Sequence, residues 1–189
     1  MKLRRLVVCT IIVLLLFYLG SKIFAGYSFS KESAIQHSFP NQKGKIVFEK
    51  DFDNKKVIIL ETEHGLFVKQ VDIKLGIFYM VRNVGDINIY DNQEAMNMTW
   101  TAQLVDDHYY DTLFAVKVSD PTIKKVIVCN EGSDLSLSNL EEVKKQSTFY
   151  VEMEIINGFG AYYLALSPSE AGNFVFRGLN ENEEIVSVK

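Results

Sequence analysis

The densest group of residues with chemical potential lies between residues 106 and 111, where carboxylates, an imidazole and phenols follow one another. Asp106, Asp107, His108 and Asp111 offer oxygen and nitrogen atoms of the kind that hold a divalent cation or a small polar ligand. Carboxylates adjacent in sequence at the tip of a hairpin usually point to opposite sides and into water. A solvated turn is therefore the default interpretation, and a cation or ligand site is the alternative.

A second oxygen-rich segment, Asp86–Asn92, alternates polar and apolar residues in a way reminiscent of calcium loops. It lacks the glycine at the sixth position and the distal glutamate of an EF-hand loop. We therefore predict a turn here as well, with a cation or ligand site again as the alternative.

Motifs for catalysis are missing from the chain. There is no G-x-S-x-G, H-E-x-x-H, C-x-x-C, P-loop or G-x-G-x-x-G pattern. Cys129 ends the apolar run Val126–Cys129, which indicates a buried core thiol and not an activated nucleophile. The sequence thus predicts a protein that is not an enzyme, with no catalytic residue, no metal centre and no cofactor.

Aromatic residues are concentrated in the second half of the chain, and aromatics with arginine are the usual anchors of binding surfaces. The candidate surface residues are Trp100, Tyr109, Tyr110, Tyr162 and Arg177. Core packing explains the aromatics equally well, so a binding surface is a hypothesis with a structural alternative.

The N-terminal segment, residues 1–26, has the pattern of a signal peptide or a signal anchor. Three basic residues precede the apolar run Leu6–Leu19, and Lys22 is the only charge between that run and Ala25. The basic flank stays cytoplasmic under the positive-inside rule, which places the rest of the chain outside the membrane. Poor cleavage sites favour a retained, single-pass transmembrane anchor in the cell membrane, and a secreted protein with a cleaved signal is the alternative.

Charge and cysteine content limit what the exported part can do. Outside the N-terminal segment, 16 basic residues stand against 24 acidic ones, a net charge near −8. Such a surface, without a basic stripe, predicts no binding to nucleic acid. Cys129 is the only cysteine outside the N-terminal segment, so no intramolecular disulfide can form in the exported part.

Short apolar segments separated by turn residues dominate the chain from Lys45 onward. Ser30 is predicted to cap a short helix that Pro40 ends, and Ser138 a second helix reaching Lys145. A glycine turn at Gly158 and Gly160 and a final hairpin complete the pattern. The predicted fold class is a β-rich α+β protein with antiparallel sheets and one or two short helices, after the N-terminal transmembrane helix or signal. Two β-rich submodules, 28–90 and 95–189, are expected, either separate or forming one continuous domain.

Residues 30–78 resemble a PepSY-type half-module, a helix followed by three strands that occurs in exported bacterial proteins. The match consists of a helix ending in Phe39-Pro40, strands at Gly44–Glu49 and Lys56–Leu60, and the segment Phe67–Gly76, with a D-x-x-x-G pattern at Asp72 and Gly76. The overall layout is also similar to that of small membrane-anchored exported proteins of Gram-positive bacteria. The resemblance implies interactions at the cell envelope or restraint of peptidases, and no catalysis.

These observations predict a membrane-tethered, extracytoplasmic interaction domain whose partner is an envelope protein or peptide. An exposed edge strand could accept an extended peptide, with aromatic side chains supplying specificity. The alternative is a small-ligand or divalent-cation sensor that uses residues 106–111 or the segment Asp86–Asn92.

Overall fold

The computed structural model describes residues 2–41, 43–89, 94–130 and 139–189. The helices are α1 (Lys2–Ala25), α2 (Lys31–Gln36) and α3 (Leu140–Gln146). The strands are β1 (Lys45–Phe52), β2 (Lys55–Thr62), β3 (Gly65–Lys74), β4 (Phe78–Ile87), β5 (Met96–Asp106), β6 (Tyr109–Val118), β7 (Lys125–Cys129), β8 (Tyr150–Glu154), β9 (Phe159–Leu166), β10 (Val175–Leu179) and β11 (Ile185–Val188). The predicted β-rich fold with antiparallel sheets and few short helices is confirmed.

The first sheet is a meander with strand order β1-β2-β3-β4. Its β2 strand is apolar from Val57 to Leu60 without a break, and these four side chains are buried. Successive side chains of a strand point to opposite faces, so such a run indicates a sheet covered on both sides. Ile58 and Leu60 pack with Ile35 of α2 on one face, while Val57 and Ile59 pack against the next sheet on the other.

The middle sheet has the order β5-β6-β9 and is also covered on both faces. Leu113 and Ala115 of β6 pack against the first sheet. Phe114 and Val116, which alternate with them, pack against the last sheet. The layers therefore follow one another as α2, first sheet, middle sheet, last sheet and α3.

The last sheet has the order β11-β10-β7-β8, and α3 covers its outer face through Val143. Cys129 is buried in this outer cluster, as predicted. The predicted cap of α3 is wrong by one residue. Asn139 caps the helix, since its Oδ1 accepts a hydrogen bond from the backbone N–H of Glu141 at 2.9 Å. Ser138 lies outside the described residues.

The turn before β9 differs from the prediction that placed both glycines in it. Asn157 and Gly158 both have positive φ, 53° and 81°, as a two-residue type I′ turn requires. Gly160 lies inside β9 instead. A Cβ atom at this position would approach Cδ1 of Ile155 to 2.8 Å, so glycine permits close packing here and makes no turn.

Helix α1 contacts the β-sheet domain at its C-terminal half. Phe17 and Tyr18 lie against Phe29, with ring centroids 6.4 and 5.3 Å apart. The following segment is fixed to the first sheet by two backbone hydrogen bonds of 2.8 Å between Ser28 and Tyr79. Among the residues whose side chains the structure describes, which in α1 end at residue 20, no helix is both long enough and apolar enough to cross a membrane.

The boundary predicted between the two submodules falls in the connection from β4 to β5. The apolar cluster between the first and middle sheets draws residues from both sides of it, for example Val68 and Leu113. Residues 90–93 lie outside the described part of the chain.

Candidate functional site

A polar cluster lies at the junction of the first and middle sheets, and Asp111 of β6 is at its centre. The Asp111 carboxylate accepts hydrogen bonds from Nζ of Lys55 at 2.7 Å, from Oη of Tyr163 at 2.5 Å and from Nε2 of Gln70 at 3.2 Å. Lys55 and Gln70 belong to the first sheet, whereas Tyr163 belongs to β9. Because four strands on two sheets contribute, β2 and β3 of the first sheet and β6 and β9 of the middle sheet, the cluster joins the sheets through charge-assisted hydrogen bonds.

A second carboxylate, Asp72 of β3, extends this junction cluster toward the solvent. Gln70 donates to Asp72 at 3.0 Å, and Nζ of Lys55 lies 3.6 Å from its Oδ1. Nε of Arg82 on β4 donates to the other oxygen at 3.3 Å. The cluster thus holds two acidic and two basic groups and is close to neutral.

Both members of the central ion pair are stabilised in their charged forms. Burial raises the pKa of Asp111, but the hydrogen bonds from Lys55, Tyr163 and Gln70 outweigh it and hold that pKa below its usual value. Burial lowers the pKa of Lys55, but its bonds to Asp111 and Tyr163 and the charge of Asp72 outweigh it and raise that pKa. The Lys55 ammonium also lies 4.6 Å from the centre of the Tyr163 ring, within range of a cation–π interaction.

A pocket of about 300 Å³ opens beside the junction cluster. Its charged side is formed by the cluster, and its other side by Gln103, Leu104 and Val105 of β5. The register of β5 against β6 shifts between Leu104 and Asp106, which marks a bulge at this end of the strand. The pocket therefore lies between charged groups and the distal part of an edge strand.

The outer edge of β5 carries exposed apolar side chains, but at Thr101 it lies against β4, where Asn83 donates to the Thr101 carbonyl oxygen at 3.4 Å and accepts from its hydroxyl at 2.9 Å. β5 pairs with β6 on one side, and no other strand in the described ranges pairs with its opposite edge. Leu104 and Val105 are more than half exposed, and Trp100 is 46% exposed. A long, exposed, apolar edge strand is a template for pairing with another chain. We call residues 100–105 and the junction pocket the β5 edge site.

No family model, curated protein or solved structure matches the chain. The resemblance of residues 30–78 to a PepSY-type half-module therefore stays a prediction. This segment folds into α2, β1, β2 and β3, which is the helix and the three strands expected from its sequence.

The structure separates the residues proposed as a cation or ligand site. Asp107 and His108 form the exposed β5–β6 turn, while Asp111 is half-buried and bonded to Lys55. Only the backbone of Asp106 is described. Among the described residues, no three His, Cys, Asp or Glu side chains come together in a group that could hold a metal ion. In the other segment proposed for a cation or ligand, Asp86–Asn92, residues 90–92 lie outside the described part of the chain.

The aromatic residues proposed as a binding surface lie at different places around the middle sheet. Trp100 and Tyr162 are both register partners of Phe114, so they occupy opposite edge strands with the buried β6 between them. Trp100 packs edge-on against Phe174, and Tyr162 packs in the same way against Phe52 of β1.

The two tyrosines of this set lie at the β5–β6 hairpin, where Tyr109 is exposed and Tyr110 is half-buried. Trp100 and Tyr109 are thus the most exposed members of this set.

The prediction that Arg177 belongs to a binding surface is wrong, because its side chain is fully buried. It follows Phe176 on β10 and faces the outer side of the last sheet. There its Nη1 lies 3.3 Å from Sγ of Cys129. A partner therefore cannot reach the Arg177 side chain without displacing the layer formed by α3.

The charged side of the pocket includes three residues that were not predicted as site residues from the sequence, namely Lys55, Asp72 and Arg82. Each of these residues follows a turn or alternates with apolar residues in a strand. In the sequence alone, each is therefore indistinguishable from an ordinary solvent-exposed charge. Lys55 and Asp111 are separated by 56 residues, so no local spacing links them. The available signal was the D-x-x-x-G segment, which contains Asp72.

Proposed function

We propose that the protein is an extracytoplasmic, membrane-attached interaction domain that binds an extended segment of a protein or peptide at the β5 edge site. The observation that carries the proposal is the exposed apolar end of β5 at Leu104 and Val105, which lies beside a pocket with charged walls. In complexes formed by strand addition, the added peptide forms hydrogen bonds through its backbone, and pockets along the edge select every second side chain of the peptide.

Membrane attachment is supported by the surface of α1. Its large apolar side chains from Leu6 to Leu19 are exposed around the whole helix. A helix that is apolar on all sides is found where an apolar medium surrounds it. We propose that α1 is retained in the membrane as a signal anchor; the alternative is a signal that is removed after export.

The β5 edge site fits a segment that combines apolar and charged groups. Trp100 and Leu104 offer apolar contact area along the strand. The described residues give the Arg82 guanidinium one hydrogen bond, from Nε to Asp72, so its Nη groups can donate to a carboxylate in the pocket. We therefore propose a partner segment with apolar residues and one acidic side chain or a terminal carboxylate.

The test is site-specific photocrosslinking of the full-length protein in its native membrane. A photoreactive amino acid replaces Gln103, which is exposed and lines the pocket. The crosslinked product is identified by mass spectrometry and compared with the product of Leu104→Lys, which puts a charge on the edge. We expect one partner segment to be crosslinked and to be lost in the Leu104→Lys protein.

Val186→Lys is the matched control, because Val186 is an exposed apolar residue on β11, an edge strand of the last sheet. It should leave the crosslink unchanged. A crosslink that survives Leu104→Lys, or no crosslink at all, would overturn the proposal. A product made of two copies of this chain would show self-association at this edge instead.

A second candidate function is recognition of a small anionic ligand by the pocket alone. The observation that favours it is the Arg82 guanidinium, 43% exposed, on a cavity large enough for a small organic acid. A ligand that binds only the folded protein raises its melting temperature by mass action. Dicarboxylic acids should then stabilise the protein but not its Arg82→Gln variant, whereas equal melting temperatures with and without them would exclude this function.

A further inference from the structure

We infer that the turn between β3 and β4 enters the lipid beside α1, so that the protein contacts the membrane at two places. The inference rests on the proposed retention of α1 in the membrane. The occupant of this surface is therefore lipid, and the residues that meet it are Leu75 and Ile77.

The start of β4 lies beside the apolar part of α1. The ring of Phe78, the first residue of β4, lies 5.6 Å from the ring of Phe17. Phe29 lies against both rings, 5.0 Å from Phe78 and 6.4 Å from Phe17. Phe17 belongs to the apolar run Leu6–Leu19, so the start of β4 is level with the part of α1 that would be surrounded by lipid.

The turn between β3 and β4 exposes apolar side chains. Leu75 is 87% exposed, and Ile77 is about half exposed. Leu75 also has a φ of 52°, in the left-handed region that a leucine rarely adopts. In water this turn exposes nearly all of one large apolar side chain and half of another, whereas in lipid the same side chains are in a favourable medium.

The turn also has a fixed position relative to α1. The two hydrogen bonds between Ser28 and Tyr79 tie the segment after α1 to β4. The Lys74 ammonium lies 5.0 Å from the centre of the Tyr27 ring. Tyr27 is only 8% exposed, so this contact holds Lys74, the residue before the turn, against the segment that follows α1.

A second copy of the chain is the other occupant that an apolar turn could have. We favour lipid because the turn contacts α1 through Phe78 and so continues the apolar surface of the helix.

The experiment measures the depth of spin labels in the full-length protein reconstituted in lipid vesicles. Cys9→Ser removes the exposed native thiol, and Cys129 is buried. Single cysteines then replace Leu75 in the turn, Leu14 in α1 and Val186 on β11, and each carries a nitroxide. Relaxation by oxygen, which concentrates in lipid, is compared with relaxation by a water-soluble nickel complex.

We expect the nickel complex to lose its effect on the labels at positions 75 and 14 and to keep it at position 186. A label at position 14 in lipid with a label at position 75 in water would overturn the inference and leave membrane attachment intact. Labels at both positions in water would overturn both proposals. Spin–spin broadening at position 75 in vesicles that hold few proteins would reveal a second copy and would also overturn the inference.

Discussion

Breaking the ion pair between Lys55 and Asp111 should destabilise the protein more than breaking an ion pair at the surface. The two side chains are only 17% and 13% exposed, and Asp111 also accepts hydrogen bonds from Tyr163 and Gln70. An exposed pair contributes about 0–1 kcal/mol, and removing one partner of a fully buried pair costs about 3–5 kcal/mol. For this intermediate case we expect Asp111→Asn and Lys55→Met each to lower the free energy of unfolding by about 2–3 kcal/mol. Their coupling energy should be about 1–2 kcal/mol.

A double-mutant cycle measured by urea unfolding of the full-length protein in detergent micelles gives this coupling energy. Trp100, the only tryptophan, reports on the middle sheet through its fluorescence. The matched control is the pair Lys125–Glu152, at 2.9 Å with side chains 27% and 40% exposed, probed by Lys125→Met and Glu152→Gln. Its coupling energy should stay below about 0.5 kcal/mol. If both cycles gave the same coupling within about 0.3 kcal/mol, the burial argument would be wrong.

The pH dependence of the same pair follows from its pKa values. Because the pKa of Asp111 in the folded protein lies below its value of 3.8 in the unfolded chain, its contribution is present above that value. It is lost as the pH falls through the folded pKa. The stability difference between the wild-type protein and Asp111→Asn should therefore be constant from pH 5 to 8 and should close below about pH 4.

Three further changes test other parts of the structure. Burial lowers the pKa of Lys69 in the folded protein to about 8, whereas in the unfolded chain it is 10.5. Between pH 8 and 10.5 the unfolded state therefore binds more protons than the folded state. Thermal melts should therefore show stability rising by up to about 3 kcal/mol over this range, and Lys69→Met should abolish the rise. Phe114→Ala should cost about 3–5 kcal/mol in urea unfolding, because it opens a cavity between the middle and last sheets. Asn139→Ala should cost about 1 kcal/mol by the same assay, because it removes the cap of α3; an unchanged midpoint would contradict the assigned cap.

The parts of the fold that the sequence predicted correctly depend on neighbours in the chain. Ser30 caps α2 with a hydrogen bond to the backbone N–H of Ser33 at 3.1 Å, which needs only three residues of local geometry. The final hairpin, which pairs Arg177 with Val188, follows from two apolar segments around a polar turn. Turn chemistry and strand alternation operate over a few residues, so they can be recognised without knowing the sheets.

The candidate site could not be predicted in the same way, because distant segments assemble it. Asp111 was recognised as a possible ligand, but its partner Lys55 comes from another sheet. Arg177 looked like a surface residue because the sequence does not show that α3 covers β10. Gly160 looked like a turn residue because the sequence does not show how closely Ile155 approaches it. In each case the missing information is which strands and helices pack together.

The burial of β6 on both faces changes what determines the alignment of this strand with its neighbours. In a sheet with one wet face, a slip by one residue exposes apolar side chains and buries polar ones, so solvent enforces the alignment. In β6 a slip would exchange Leu113 and Ala115 with Phe114 and Val116, and both sets are apolar. Side-chain volume and the charges of Asp111 and Lys117, which alternate onto the same face, are what distinguish the two faces. We therefore expect the Lys55–Asp111 ion pair to fix the register of β6. Loss of both charges should leave two registers populated, and these should appear as duplicated amide resonances along β6.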